Sequence, residues 1–135
     1  MKFNEGTIND YLKSINDIEL GAKSFMKDYT KDLNKSYKKS DYKFIVKYIE
    51  SNSDLSKYIR STVKSKKKKQ YRRPKFESVN YQDGNVNVTL KKENQNKDSI
   101  KSKYVLKYYK ADEGYTIQSH EDIKNFTNNN KEDIL

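Results

Sequence analysis

The spacing of apolar residues changes once along this chain of 135 residues, at Pro74. Before Pro74 they recur at steps of three and four, which is the spacing of one face of a helix. After Pro74 they alternate with polar residues, as in a strand that is buried on one side. Because consecutive helices are followed by consecutive strands, the chain is predicted to fold as α+β. Its length favours a single domain.

Three helices are predicted before Pro74. The apolar face of the first and longest consists of Ile8, Leu12, Ile15, Ile18, Ala22, Phe25, Tyr29, Leu33 and Tyr37. Gly21 lies within this pattern, and a kink or break is possible there. A short second helix is predicted from Phe44, Ile45, Tyr48 and Ile49. Ser53 is the expected N-cap of a third helix, whose buried face is formed by Leu55, Tyr58, Ile59, Thr62 and Val63.

Four antiparallel strands are predicted after Pro74. Residues 76–81 and 85–92 flank Asp83-Gly84, a dipeptide typical of a two-residue hairpin turn. Residues 100–110 and 115–119 flank a second turn, at residues 112–114. We expect the three helices to pack on a four-stranded antiparallel sheet. The domain is predicted to span residues 1–126, followed by a frayed or disordered acidic tail over residues 127–135.

Composition narrows the function classes. Only 33% of residues are hydrophobic and the mean hydropathy is −1.21, but twelve Tyr and five Phe can supply a thin, tyrosine-rich core. The absence of Cys excludes disulfides, thiol nucleophiles and cysteine-ligated zinc, and a single His cannot form a multi-histidine metal site. No apolar run approaches the length of a membrane span. We therefore expect a soluble chain without a metal or another cofactor.

Positive charge is concentrated in one part of the chain. The net charge is +10, and residues 64–110 carry 15 basic and 4 acidic groups. The densest segment, residues 64–73, contains the predicted polyanion-binding residues Lys64, Lys66, Lys67, Lys68, Lys69, Arg72 and Arg73. Such a segment is either a solvated helix end or a binding site for a polyanion. The polyanion would be teichoic acid or an anionic lipid surface outside the cell, or nucleic acid inside it.

Two further groups could suggest a site. Four tyrosines of the second hairpin could stack on bases or sugars; they are Tyr104, Tyr108, Tyr109 and Tyr115. Core or cross-strand packing is the favoured interpretation, because a sheet with so few aliphatic residues needs aromatic side chains for its core. His120 lies beside Glu121 and Asp122, which invites a general-base interpretation. Because neighbours in a strand point to opposite faces, we expect no catalytic pair there. Asp122 is instead expected to cap residues 123–126, and no acidic residue is predicted at a buried strand position.

The chain resembles a known family over about residues 20–125. The segments that carry the resemblance are KSYKKSDYKFIVKYIESNSDLSKYIRSTV, KFESVNYQDGNVNVTLKKE and SKYVLKYYKADEGYTIQSHEDI. They are similar to an NTF2-like domain, and more narrowly to the C-terminal extracytoplasmic domain of the TcaA (teicoplanin-resistance-associated) and YvbJ-like membrane proteins of Firmicutes. The resemblance implies a cone-shaped α+β fold and a non-enzymatic binding or sensing role at the cell envelope.

The resemblance also bears on partners and location. It implies an anionic wall polymer or an envelope protein as the partner, and membrane association only through an anchor upstream of this chain. The domain would then lie on the extracytoplasmic face of the membrane. If Met1 is the true start, the chain is instead cytoplasmic, and the alternative is a nucleic-acid-binding module that uses the basic cluster and exposed tyrosines. A third possibility is a carrier or enzyme with a polar cavity inside the cone.

Overall fold

The fold is known from a computed structural model, which describes residues 5–65 and 70–123, and their side chains from Tyr11 onward. A long helix α1 (Glu5–Lys39) is followed by two 3₁₀ turns (Tyr42–Phe44 and Val46–Tyr48) and helix α2 (Asp54–Lys64). Four strands complete the domain: β1 (Lys75–Gln82), β2 (Asn85–Glu93), β3 (Ser99–Tyr109) and β4 (Gly114–Ile123). The predicted α+β class and four antiparallel strands are confirmed. The predicted tail lies outside the described residues.

The prediction of three helices is wrong, because the second is replaced by the two 3₁₀ turns. Tyr42, Ile45 and Tyr48 are buried at steps of three, which is the period of a 3₁₀ helix. The side chain of Asp41 accepts a hydrogen bond from the Lys43 amide and starts the first turn. Ile49 is already extended and forms a bridge with Ile117 of β4. The segment therefore stays short and connects α1 to the sheet edge.

Helix α1 buries the stripe that its sequence predicts, but only from its middle onward. Its fully buried apolar positions are Ala22, Met26, Tyr29, Leu33 and Tyr37. Met26 was not predicted on this face, and Phe25, which was, is only partly buried against the core. Contacts with the core begin at Ile18, whereas Leu12, expected on the buried face, is 57% exposed. The helix is continuous through Gly21, so the possible break does not occur. The first half of α1 therefore extends past the densest part of the core.

Helix α2 begins as predicted. The Ser53 hydroxyl accepts a hydrogen bond from the Ser56 amide, which is the N-cap contact. Ile59 and Val63 are fully buried, but Tyr58, predicted on the same face, is 43% exposed.

The sheet has the strand order β1-β2-β3-β4, so every neighbouring pair is joined by a hairpin or short loop. Asp83 and Gly84 both have positive φ (51° and 83°), as a two-residue turn of type I′ requires. Both predicted hairpins are confirmed. Strand β4 is longer than predicted and continues to Ile123. Asp122 is therefore a strand residue and does not cap a helix.

Two β-bulges change which side chains point inward. In β1 the register shifts between Phe76 and Ser78, so Glu77 is the extra residue. In β4, Ile117 is opposite Leu106 and Ser119 is opposite Val105, so Gln118 is the extra residue. A bulge reverses the alternation of the residues that follow it.

The core lies between α1 and the inner face of the sheet and is rich in tyrosine, as expected. Six tyrosines are among its buried residues, together with aliphatic side chains of β2 and β3. The six are Tyr29, Tyr37, Tyr42, Tyr48, Tyr71 and Tyr104. Tyrosine thus supplies much of the apolar area that the low aliphatic content leaves missing.

Candidate functional site

A buried polar cluster lies on the inner face of the sheet and consists of Lys92, Ser102, Tyr104, His120 and Asp122. The Asp122 Oδ1 atom is 2.5 Å from the Ser102 hydroxyl, 2.5 Å from His120 Nε2 and 3.5 Å from Lys92 Nζ. Lys92 also donates to the Tyr104 hydroxyl at 3.0 Å. The side chains of Lys92 and His120 are 2% and 1% exposed. One carboxylate therefore holds a hydroxyl, an imidazole and an ammonium group inside the core.

The bulge at Gln118 creates this cluster. Ile117 points inward, and without the bulge Ser119 and Glu121 would follow it inward. With the bulge, His120 is opposite Tyr104 and Asp122 is opposite Ser102, and both side chains enter the core. The expectation that no acidic residue occupies a buried strand position was therefore wrong. His120 and Asp122, two residues apart on one strand, share a face.

The ionisation state of each group in the cluster depends on the neighbouring groups. Burial alone would raise the pKa of Asp122, but the hydrogen bond from His120 and the charge of Lys92 hold it below its ordinary value. Burial and then Lys92 lower the pKa of His120, and its bond to Asp122 opposes that shift only in part. At neutral pH the cluster therefore contains an ionised carboxylate, a neutral imidazole and an ammonium ion.

This assignment also gives the tautomer of His120. A neutral imidazole carries one proton, and Nε2 faces the carboxylate at hydrogen-bond distance. Nε2 is therefore the protonated nitrogen and donates to Asp122. Nδ1 is a buried acceptor without a hydrogen-bond partner among the described residues. Lys92 Nζ lies 3.4 Å from the protonated Nε2, and this proximity is one reason why further protonation is unfavourable.

Aromatic rings enclose the cluster. The Tyr104 ring stacks on the His120 ring with centroids 4.3 Å apart and 10° between their planes. Lys92 Nζ lies 5.3 Å from the centroid of Tyr71. A carboxylate–imidazole pair could serve as a general base only where substrate reaches the imidazole. Here the imidazole is covered, so the cluster is suited to holding strands β2, β3 and β4 in register.

The predicted polyanion-binding residues are described in part. Lys64 is the exposed last residue of α2, and Arg72 and Arg73 are exposed just before β1. Arg72 is anchored to β2 through its amide, which donates to the Glu93 carbonyl at 2.8 Å, and its guanidinium lies 3.6 Å from the Glu93 carboxylate. Residues 66–69, which contain Lys66, Lys67, Lys68 and Lys69, lie outside the described residues.

Sequence reasoning missed a row of lysines on the outer face of the sheet. Lys75 is opposite Lys91, and Lys91 is opposite Lys101, so three exposed lysines lie side by side across β1, β2 and β3. We call these three residues the lysine row. The hairpin turn alone would place Lys75 opposite Lys92, and the bulge at Glu77 moves it to Lys91. The row is therefore a product of that bulge.

The lysine row is partly compensated. Lys101 Nζ lies 2.9 Å from the Glu77 carboxylate, and both side chains are about half exposed. Like charges directly opposite each other destabilise a sheet.

Exposed Arg73 lies two residues before Lys75, with buried Pro74 between them. The row therefore continues the charge of the predicted basic cluster onto the sheet.

The four tyrosines of the second hairpin do not form one platform. Tyr104 is 2% exposed and belongs to the core, which supports the packing interpretation. Tyr108 and Tyr115 are half-buried, and their ring centroids are 5.3 Å apart. Tyr109 points to the other face, as its position in the strand predicts, and its hydroxyl lies 3.2 Å from that of Thr116.

An open cleft of about 1030 Å³ lies at the hairpin-turn end of the sheet, between the first half of α1 and the end of the second hairpin. We call it the aromatic cleft, because six of its lining residues are aromatic. They are Tyr11, Phe25, Tyr48, Tyr81, Tyr108 and Tyr115. The lysine row lies at the opposite end of the strands.

A comparison with family models identifies residues 18–132 as the TcaA protein NTF2-like domain. This match covers most of the chain. The chain belongs to this family. No curated protein and no solved structure matches it significantly.

The TcaA-family assignment confirms the resemblance seen in the sequence and places the chain in a family that is not an obvious enzyme family. Within residues 5–65 and 70–123, no helix is both long and apolar enough to cross a membrane. In the same part of the TcaA-family domain, no group of His, Asp and Glu side chains is arranged to hold a metal ion.

Proposed function

We propose that this TcaA-family domain lies outside the membrane and binds an anionic polymer of the cell envelope through a basic surface. That surface consists of the predicted cluster and the lysine row. The observation that carries the proposal is the register of the row, which aligns three ammonium groups across adjacent strands. Strands lie about 4.8 Å apart, so the row spans about 10 Å. A chain of phosphodiesters can place successive charges along such a row.

The chemistry of binding follows from charge. Exposed lysines are mobile point charges that neutralise phosphates and release counterions. Binding of this kind tolerates an irregular polymer and weakens steeply with salt. The proposed partner is therefore a wall polymer with phosphate groups, and an envelope protein with an acidic surface would use the same lysines.

The nucleic-acid alternative has less support. It requires exposed rings for base stacking beside the cations. Tyr104 is buried, and Tyr108, Tyr109 and Tyr115 lie at the opposite end of the strands from the lysine row. Among the described residues, the lysine row therefore has none of these four tyrosines beside it.

The test is a salt titration of binding to purified teichoic acid, with a single-stranded oligonucleotide as comparator. The triple variant Lys75→Gln/Lys91→Gln/Lys101→Gln is expected to bind teichoic acid more weakly. Its salt slope should fall by about one for each phosphate that the variant no longer neutralises. A second variant, Lys66–Lys69→Ala, removes four of the seven basic residues of the predicted cluster and tests the cluster in the same way.

A matched control separates a site from bulk charge. Lys13, Lys27 and Lys31 are exposed lysines of α1, and changing all three to Gln removes the same charge. Equal weakening by both triple variants would show that only net charge matters and would remove the lysine row from the proposal. Failure of the native domain to bind teichoic acid at low salt would overturn the proposed partner. Tighter binding of the oligonucleotide would favour the alternative.

A further inference from the structure

The aromatic cleft is separate from the basic surface. Its sheet residues lie at the hairpin turns, where β1, β3 and β4 end or begin, whereas the lysine row lies near the other ends of these strands. One wall is α1 from Tyr11 to Asp28, and the other is formed by Tyr81 and Tyr108. Tyr115 joins the two walls, because its hydroxyl donates to the carbonyl oxygen of Ile18. The cleft therefore has its own elements and its own chemistry.

The rings of the cleft support one another. The ring centroids of Tyr81 and Tyr108 are 6.1 Å apart in an edge-to-face arrangement, and those of Phe25 and Tyr115 are 5.5 Å apart. Tyr11, on the opposite wall, is 65% exposed. Rings held by such contacts present preformed surfaces at low entropic cost. An occupant with apolar groups would pack on them.

Carboxylates outnumber ammonium groups in the cleft. Asp17, Asp28 and Glu113 line it together with Lys47 and Lys110. This acidic balance contrasts with a chain whose net charge is +10. Burial raises the pKa of Tyr115 to about 12, and Glu113 adds to the shift. Desolvation and then Glu113 also raise the pKa of Tyr108.

Aromatic faces beside carboxylates attract organic cations. The domain already shows this arrangement at the cleft, where Lys47 Nζ lies 5.2 Å from the ring centroid of Tyr48. Desolvation and hydrogen bonding to Asp32 raise the pKa of Tyr48, and Asp28 contributes to the shift. A ligand ammonium or guanidinium group would find the same combination of ring and carboxylate.

The length of the cleft indicates the size of the occupant. Its α1 wall runs from Tyr11 to Asp28, which at 1.5 Å per residue is about 25 Å. An extended peptide covers this distance with about seven residues. Such a peptide would place side chains along the whole groove, whereas a small molecule would occupy one part of it.

We propose that the aromatic cleft binds an extended segment of a partner polypeptide in which Lys or Arg side chains alternate with apolar ones. The basic side chains lie against Asp28 and Glu113, and the apolar side chains pack on Tyr81 and Tyr108. This recognition goes beyond the proposed binding of a polyanion, because it uses the opposite charge at the opposite end of the sheet.

The experiment uses a blocked heptapeptide with strict alternation, Gly-Lys-Phe-Lys-Phe-Lys-Gly, and the complete chain with ¹⁵N labels. Amide shifts are expected to change along Tyr11–Asp28 and around Tyr81 and Tyr108 as the peptide is added. Two control peptides carry Glu in place of Lys or Ser in place of Phe, and both are expected to bind more weakly. Tyrosine fluorescence gives the affinity, because the chain has no Trp.

Two double variants test whether the carboxylates of the cleft, and not the net charge of the chain, determine the affinity for the peptide. Asp28→Asn/Glu113→Gln should weaken binding of the heptapeptide by about fivefold or more. The control Glu77→Gln/Glu121→Gln removes two carboxylates from the outer face and should leave the affinity unchanged. All four positions are exposed, so none of these changes threatens the fold.

Several outcomes would overturn the proposal. They are equal binding of the Glu peptide, equal weakening by both double variants, shifts confined to the lysine row, and no binding at millimolar peptide. Shifts in the cleft caused by chitotetraose in place of the peptide would assign it to a saccharide. None of these results depends on teichoic acid, so they leave the proposed function to its own test.

Discussion

The hydroxyl of Tyr115 occupies the position where a side chain of Gly21 would begin. It donates to the carbonyl oxygen of Ile18 at 2.7 Å and joins β4 to α1 across 97 residues of sequence. A Cβ atom at Gly21 would overlap this hydroxyl and crowd the ring carbon that bears it. Gly21 is therefore needed for the close approach of Tyr115, and not for bending the helix.

Gly21→Ala is expected to destabilise the domain by about 1 kcal/mol, although alanine is the better helix former by a similar amount. The reason is that Tyr115 must move and give up its hydrogen bond to Ile18. Urea unfolding gives the change in the free energy of unfolding.

The same substitution made in a Tyr115→Phe background should be neutral or stabilising, because the overlapping hydroxyl is then absent. The two values together form a double-mutant cycle with a coupling of about 1 kcal/mol or more. If Gly21→Ala stabilises the native domain, the close approach is not restrictive and this interpretation is wrong.

Asp122→Asn should cost about 3 kcal/mol of the free energy of unfolding, because it leaves the buried Lys92 without its carboxylate. Lys92→Met, which removes the other charge but keeps the volume, is expected to cost less, since Ser102 and His120 still bind Asp122. Glu121→Gln, at the neighbouring exposed position, is the control and should change nothing. Thermal or urea unfolding measures all three; equal destabilisation by Asp122→Asn and Glu121→Gln would exclude a role for the cluster.

The free energy of unfolding should fall as the pH is lowered, and His120 should account for part of this decrease. The pKa of His120 is lower in the folded domain than its ordinary value of 6.5, so below pH 6.5 the unfolded chain binds a proton that the folded domain does not. The contribution is present above pH 6.5 and is lost as the pH falls through the folded pKa. The lowered pKa of Asp122 adds a second decrease in stability below its ordinary value of 3.8. Lys92 and Tyr104 are the other polar groups that face His120.

The measurement is the free energy of unfolding as a function of pH, for the native domain and for His120→Phe. The native slope below pH 6.5 should approach about 1.4 kcal/mol per pH unit, and the variant should lack that part of it. The ¹⁵N shifts of the His120 ring should report a proton on Nε2 and none on Nδ1. A proton on Nδ1 would contradict the assigned tautomer.

The tyrosine core should make the domain sensitive to alkali. Burial raises the pKa values of Tyr29 and Tyr104 well above 10, so above pH 10 the folded domain retains protons that the unfolded chain releases. Their contribution to stability is complete below pH 10 and declines as the pH rises. Tyrosinate absorbance should therefore increase together with unfolding. Tyr29→Phe should reduce the slope of stability against pH by up to about 1.4 kcal/mol per unit, and an unchanged slope would contradict this account.

Much of the fold could be predicted from local patterns. The step of four and three from Ala22 to Tyr37, the cap at Ser53 and the turn at Asp83-Gly84 each produce the expected element, because helix faces, caps and tight turns depend on nearby residues. The 3₁₀ turns were missed because spacings of three and four are compatible with both types of helix.

The buried polar cluster and the lysine row could not be predicted in the same way, because each depends on a β-bulge. Alternation from Ile117 places Glu121 inside and Asp122 outside, and only the extra residue Gln118 reverses this. The extra residue Glu77 likewise brings Lys75 opposite Lys91. Nothing in the sequence around Glu77 or Gln118 marks an inserted residue, since a bulge is selected by packing across the sheet.

The placement of the basic surface and the aromatic cleft at opposite ends of the strands has one more consequence. Strand β2 covers about 20 Å from Asn85 at the turn to Lys91 in the row, so a polymer on the lysines and a peptide in the cleft would not compete for space. One chain of 16.0 kDa could then bind the polymer and the peptide at the same time and link the wall to a protein. Where the polymer and the partner protein are attached to each other, the first attachment raises the local concentration of the second ligand, which strengthens binding without any change of shape.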